Sequence, residues 1–90
     1  MRPFRRSGAF ERDLKRAVRR RYNLDRLAAV LALLQRGETL PASMRPHQLK
    51  GEWKGFWECH VGPDWLLIYK PTADEILLAR TGTHSDLFKE

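Results

Sequence analysis

The spacing of the apolar residues changes near Thr39, and this change restricts the fold more than any other feature. Before it, apolar side chains recur at i, i+4, i+7 and i+8, as on one face of a helix: Phe10, Leu14, Ala17 and Val18. After it, the stretch 56–61 alternates between two faces, as a strand does. The chain therefore predicts an α+β fold in which helices come first and most strands follow.

Capping residues predict where the two helices begin and end. Residues 2–6 are typical of a short edge strand or an extended arm. Ser7 is suited to cap a helix that starts near Gly8, and Asn23 is suited to cap a second one. Gly37 is a natural C-terminal stop for that second helix. Leu27, Val30, Leu31 and Leu34 give it an apolar face. Two helices joined by so short a connector predict an αα-hairpin.

Turn residues divide the second half into strands. The prediction is a short strand at 47–50, longer strands at 56–61, 65–70 and 76–81, and an irregular tail at 82–90. The expected fold is one domain, residues 1–90, with an N-terminal strand and a two-helix hairpin packed on one face of a mostly antiparallel sheet of four to five strands. Strand parity places Trp57, Cys59 and Val61 toward the helices, and Glu58 and His60 on the opposite, more open face.

Length and composition exclude several classes of protein. Ninety residues give one core. Cys59 is the only cysteine, so no internal disulfide forms, which fits a reducing compartment. No apolar run approaches the roughly 20 residues of a membrane span, and the first residues lack the apolar segment of a signal peptide. We therefore expect a cytoplasmic protein with no membrane association.

Positive charge is concentrated in the first 36 residues. They hold eleven Lys and Arg against three acidic residues, whereas residues 37–90 hold six against eight. Such local basic character indicates a nucleic-acid or acidic protein partner, although a solvated helix surface is the alternative. The consecutive Arg19, Arg20 and Arg21 favour a partner.

All three histidines lie in the second half, at His47, His60 and His84, with Glu58 and Asp64 beside them. Imidazole moves protons near neutral pH. RNA cleavage by its own 2′-hydroxyl needs a base, an acid and cations that stabilise the phosphorane. Lys50, Lys54 and Arg80 are candidates for those cations. The spacings match no common metal site, so the pattern predicts a metal-independent ribonuclease without a cofactor. Structural roles for single histidines remain open.

Two blocks of sequence resemble a known family. HQLKGEWKGFWECHVGPDWLLIY and RTGTHSDLF resemble the YafQ branch of the RelE/ParE toxin superfamily, and FERDLKRAVRR is more loosely similar to its first helix. The resemblance implies a ribosome-dependent mRNA interferase of a type II toxin–antitoxin system, which cleaves mRNA in the ribosomal A site and leaves a 2′,3′-cyclic phosphate. It also implies a DinJ/RelB-type antitoxin with a ribbon-helix-helix domain, through which the complex meets operator DNA.

The same resemblance assigns roles to residues. His84 is expected to be the general acid. His47 and Asp64 are candidates for the base or for orienting it, and His60 for positioning phosphate. Phe88 would stack on a base. Glu58 stands where an acidic residue is usual, and Arg80 remains a candidate phosphorane stabiliser. For the ribosome we expect contacts from the basic first helix and the connector after it: Lys15, Arg16, Arg19, Arg20 and Arg21.

Other functions remain as alternatives. A ParE-like gyrase inhibitor would have the same fold, but that class lacks the histidine set. A non-catalytic RNA-binding module would depend on the basic helices alone, and a toxin relic would bind antitoxin without cleaving. The family commonly has arginine where this chain has Trp57. Strand parity places that residue toward the helices, where its side chain would affect packing.

Overall fold

The first strand and the two long helices form where the capping residues predict them. The computed structural model describes residues 1–88, in which β1 spans Phe4–Arg6, α1 Gly8–Arg19 and α2 Leu24–Gln35. The hydroxyl oxygen of Ser7 accepts a hydrogen bond from the Phe10 N–H at 2.9 Å, and the Asn23 side-chain oxygen accepts from the Asp25 N–H at 3.0 Å. The predicted caps are confirmed, because each satisfies an otherwise unpaired helical N–H.

Gly37 ends α2 in the left-handed conformation that glycine adopts most easily. Its φ is +72°, its N–H donates to the Leu34 carbonyl, and the Glu38 N–H donates to the Leu33 carbonyl. This pair of bonds is a Schellman motif, and it supplies partners for the last carbonyls of the helix.

The remaining strands build one five-stranded sheet with the order β1-β5-β4-β3-β2. β2 spans His47–Gln48, β3 Trp57–Gly62, β4 Trp65–Pro71 and β5 Ile76–Gly82. β1 pairs with β5 in parallel, and the other three pairings are antiparallel. The predicted mostly antiparallel sheet is therefore confirmed.

Each face of the sheet carries its own apolar cluster. The larger cluster lies under the helices, and Cys59, Val61 and the partly buried Trp57 belong to it, as strand parity predicts. Burial raises the pKa of the Cys59 thiol to about 12, with a smaller contribution from the Glu58 carboxylate, so the thiol stays protonated. A smaller cluster covers the opposite face, with Leu66, Ile68, Ala79 and Leu87 at its centre. That face is only partly open.

The C-terminal segment differs from the prediction. Instead of an irregular tail, His84–Phe88 form a short helix, α3. The apolar Leu87 anchors it on the open face of the sheet, where it is 7% exposed. Residues 89 and 90, which the predicted tail also covers, lie outside the described residues. Within residues 1–88, no helix is both long and apolar enough to cross a membrane.

Candidate active site

A row of histidine and carboxylate side chains crosses the sheet face that lies away from α1 and α2. Antiparallel register places His47 of β2 directly opposite Glu58 of β3. His60 lies two residues farther along β3 and therefore on the same face. The tight turn between β3 and β4 supplies Asp64, and α3 brings in His84. The sheet thus brings together all four residues that the sequence predicts as catalytic.

Asp64 holds His84 by two hydrogen bonds. Its Oδ1 accepts from the His84 backbone N–H at 3.2 Å and from the ring Nδ1–H at 3.0 Å. The bond from the His84 ring, followed by the bond from its backbone N–H, lowers the pKa of Asp64 below the usual 3.8. Because a carboxylate only accepts, the proton of this bond is on Nδ1. Nε2 is therefore the ring nitrogen left for a substrate, and the His84 side chain is 47% exposed.

His47 faces an acceptor at each ring nitrogen. Its Nδ1–H donates to the Arg45 carbonyl at 2.8 Å. Its Nε2 lies 3.3 Å from Oε1 of Glu58, whose side chain is only 6% exposed. With an acceptor at each ring nitrogen, His47 has neither nitrogen free for a substrate.

His60 and Phe88 lie on either side of His84. The ring centroids of His60 and His84 are 6.2 Å apart, and those of His84 and Phe88 are also 6.2 Å apart. Within residues 1–88, no hydrogen bond or ion pair engages the ring of His60, which is partly buried. Two imidazoles and an aromatic ring are therefore neighbours at this end of the sheet.

Reciprocal capping shapes the turn that carries His84. The Thr83 N–H donates to Oδ2 of Asp86 at 3.0 Å, and the Asp86 N–H donates to the Thr83 hydroxyl at 3.1 Å, which is a capping box. A Cβ on Gly82 would lie 2.9 Å from the same Oδ2. Glycine therefore lets the carboxylate of Asp86 close over the backbone at the start of α3.

Two arginines of the basic set, which comprises Lys15, Arg16, Arg19, Arg20 and Arg21, hold α3 in place. Arg20 donates to both oxygens of Asp86, at 2.7 and 3.1 Å, and Arg16 Nη1 lies 3.4 Å from Oδ1. The hydrogen bond from Arg20 lowers the pKa of Asp86 well below its usual range. Arg16 and Arg20 are among the residues that the sequence predicts to contact the ribosome. In the structure their guanidinium groups tie α1 to the helix that carries His84 and Phe88.

We predict that Asp86→Ala lowers the cleavage rate by up to about 10²-fold, because misplacing a catalytic group by about 1 Å has that effect. It should also change the pH dependence of stability. The pKa of Asp86 is lowered by folding, so its stabilising contribution is present above the unperturbed value of 3.8. That contribution is lost as the pH falls through the lowered value. The wild type should therefore lose more stability in acid than the variant does. Melting curves across pH and an RNA-cleavage assay measure both effects.

Asp74→Ala is the matched control, because Asp74 is exposed in the turn between β4 and β5. If Asp86→Ala and Asp74→Ala gave the same activity and the same acid dependence, the proposed link between α1 and α3 would be wrong.

The other predicted cations lie in different settings. Arg80 donates Nε–H and an Nη2–H to Asp13 of α1, at 2.6 and 3.1 Å, and this bidentate pair raises the pKa of Arg80. Lys50 and Lys54 are exposed on the loop after β2. The direct role of Arg80 in stabilising a phosphorane stays a prediction, in competition with its ion pair to Asp13.

The rest of the basic set faces solvent. Lys15, Arg19 and Arg21 are exposed, and in the part of the chain that the structure describes none of them pairs with a carboxylate. Arg21 adopts a φ of +60° in the connector between α1 and α2. These three cations remain predicted contacts to RNA.

Sequence reasoning missed two acidic residues that organise the site, Asp13 and Asp86. For Asp86 a signal was present, because Thr83-x-x-Asp86 is the spacing of a capping box. For Asp13 the local pattern shows only Arg16, three residues on, whose Nη2 lies 3.6 Å from Oδ1. Its hydrogen-bond partners Arg80 and Thr81 lie 67 and 68 residues away in β5. Among the described residues, no three His, Cys, Asp or Glu side chains form a group that could hold a metal ion.

Comparisons with known proteins agree with this geometry. Residues 2–89 match the family model described as the bacterial toxin of type II toxin–antitoxin system, YafQ. The mRNA interferase toxin YafQ of Escherichia coli strain K12 is 42% identical over 83 residues, which cover 91% of this chain and 90% of that protein.

Solved structures extend the likeness to the fold. The crystal structure of YafQ from Escherichia coli strain BL21(DE3) superimposes with a TM-score of 0.92 at 39% identity and covers 98% of this chain and 99% of that one. In the Escherichia coli DinJ–YafQ complex, the matched chain gives a TM-score of 0.89 at 40% identity, with coverage of 98% and 99%.

Proposed function

The chain belongs to the YafQ family of bacterial toxins of type II toxin–antitoxin systems, and we propose that it is an mRNA interferase whose cleavage depends on the ribosome. The observation that carries the proposal is the orientation of His84. Asp64 accepts the hydrogen bond from Nδ1–H, so Nε2 is the ring nitrogen left for a substrate. The ring centroids of His84 and His60 are 6.2 Å apart. This arrangement offers two imidazoles to one phosphate.

In the proposed reaction the RNA supplies its own nucleophile. A base removes the proton of the 2′-hydroxyl, and the 2′ oxygen forms a bond to the adjacent phosphorus. The bond from phosphorus to the 5′ oxygen breaks, and an acid protonates that leaving oxygen. The products are a 2′,3′-cyclic phosphate and a 5′-hydroxyl. Each proton transfer by a positioned side chain contributes about 10²–10⁴-fold in rate.

We assign His84 as the acid and His60 as the base. Two hydrogen-bond reaches of about 3 Å each span roughly the distance between their rings. Asp64 is a weak base because its pKa is lowered, so it orients His84. His47 already faces acceptors at both nitrogens. Its proposed role is to orient the RNA beside His60, from a position fixed by the Arg45 carbonyl and Glu58.

The sheet face with the histidine row and the basic residues of α1 offer two surfaces for RNA, which would explain a requirement for the ribosome. The exposed Lys15, Arg19 and Arg21 would bind rRNA phosphates, while Phe88 would stack on an mRNA base. The proposed inhibitor is an acidic DinJ/RelB-type antitoxin with a ribbon-helix-helix domain, and operator DNA would be bound only through that complex. A protein that acts on ribosomes is proposed to act in the cytoplasm.

The test is cleavage of a defined mRNA by purified protein with and without programmed 70S ribosomes, with 5′ ends mapped by primer extension. We expect cleavage at codon positions only when ribosomes are present, and product 3′ ends that carry a cyclic phosphate. Equal cleavage of free mRNA would contradict the ribosome requirement. Absence of cleavage from folded protein would contradict the interferase assignment, and a gyrase supercoiling assay would then decide for the ParE-like alternative.

A further inference from the structure

A cavity of about 400 Å³ opens beside His60, on the side of the β3–β4 turn where the 3-10 turn Ala42–Met44 lies. The residues that line it include His60, Ser43 and two arginines, Arg26 and Arg45. Neither arginine belongs to the histidine row or to the basic set of α1. The cavity is therefore a separate cationic feature next to the proposed base.

The two arginines reach the cavity from different elements. Arg26 lies in the first turn of α2, and its Nη1 is 3.5 Å from the position that a Cβ on Gly62 would occupy. Arg45 follows the 3-10 turn with a φ of +47°, and its carbonyl accepts the hydrogen bond from His47. The backbone that holds His47 thus also fixes the position of Arg45.

Charge at this cavity is not compensated by the described residues. Within residues 1–88 neither Arg26 nor Arg45 forms an ion pair, whereas Arg16, Arg20 and Arg80 each contact a carboxylate. Two unpaired guanidinium groups on one small cavity create a positive potential that an anion would relieve. The planar fork of arginine binds phosphate through paired N–H donors.

We propose that Arg26 and Arg45 bind a backbone phosphate of the RNA strand, adjacent to the phosphate that is cleaved between His60 and His84. This inference rests on the proposed function, because it takes the row of histidines as the cleavage site. His60 borders both places, so a strand that crosses it puts one phosphate before the two imidazoles and a neighbouring one in the cavity. Arg26 also lines a second cavity, of about 500 Å³, on the Asp64 side of the turn. Arg26 would therefore contact the RNA backbone on both sides of the β3–β4 turn.

The experiment compares Arg26→Gln, Arg45→Gln and the double variant, each combined with His84→Ala so that RNA stays intact. Binding of a short fluorescein-labelled single-stranded RNA is followed by anisotropy at several salt concentrations. For single strands, log K falls with log salt by about 0.7 per phosphate contact. We expect the double variant to bind more weakly, with a slope shallower by about 0.7.

The matched control is the double variant Arg12→Gln with Arg36→Gln, which loses the same two charges. Both residues are exposed and neither lines the cavity, and Arg36 lies at the other end of α2, about 15 Å from Arg26 at 1.5 Å per residue. Equal affinity and slope for the double variant and the control would overturn the inference. Loss of antitoxin binding with unchanged RNA binding would also overturn it, because the cavity would then accept an acidic protein segment.

Cleavage by proteins that retain His84 separates this inference from the proposed function. If the wild type cleaves on ribosomes, the double variant should show a raised KM with little change in kcat, as expected for a group that binds ground and transition states equally. If the wild type does not cleave but the double variant loses RNA affinity, the phosphate site stands and the proposed function fails.

Discussion

His84→Ala is expected to lower the rate of mRNA cleavage by about 10²–10⁴-fold, the contribution of a positioned general acid. The substitution removes the ring whose Nδ1–H binds Asp64 and whose Nε2 is the proposed proton donor. It should leave the fold largely intact, because the His84 side chain is 47% exposed and Leu87 still anchors α3. Single-turnover cleavage on programmed ribosomes measures the change in rate.

The controls for this prediction separate chemistry from folding. The variant should bind its antitoxin with nearly unchanged affinity and melt within a few degrees of the wild type. Asp64→Asn keeps an oxygen near His84 but removes the charge, so we expect a smaller loss of rate than for His84→Ala. A folded His84→Ala protein that cleaves at the wild-type rate would show that another residue protonates the leaving oxygen.

Asp13→Ala is expected to destabilise the fold by about 3–5 kcal/mol, the cost of removing one partner of a buried ion pair. Asp13 is 3% exposed. Its Oδ2 accepts from Arg80 Nε at 2.6 Å and from the Thr81 N–H at 3.1 Å. Without it, a half-buried guanidinium and a buried N–H lose their partner together. For a domain of this size the melting temperature should fall by about 12 °C or more.

Urea unfolding of the variant and of Asp25→Ala tests this prediction. Asp25 lies in the first turn of α2 and is exposed, so its loss should cost no more than about 1 kcal/mol. A double-mutant cycle with Arg80→Ala should show strong coupling, because the two side chains form one unit. If Asp13→Ala unfolded at the same urea concentration as Asp25→Ala, the pair would not support the fold.

The sequence predicts an irregular C-terminal segment because the contacts that stabilise α3 come from residues distant in sequence. A five-residue helix has too few turns to show periodicity, and most of its stability comes from tertiary contacts. Arg20 is 66 residues from Asp86 in sequence. The charge run 19–21 favours a partner, which stays a prediction. The run could not show that one of its members, Arg20, pairs with Asp86 of the same chain.

Sequence alone determined the α+β class, the caps of α1 and α2 and the parity of β3. Each of these depends on neighbours within one or two turns or on alternation along one strand. The histidine set and the family motifs were readable for the same reason, since they lie in continuous blocks of sequence. Tertiary structure alone decided which groups act as pairs. The register of β2 and β3 placed His47 opposite Glu58. The turn between β3 and β4 brought Asp64 to His84 at the start of α3. Ion pairs divided the arginines into those held by carboxylates of the same chain and those left unpaired among the described residues. This division depends on separations in space that a linear pattern does not contain.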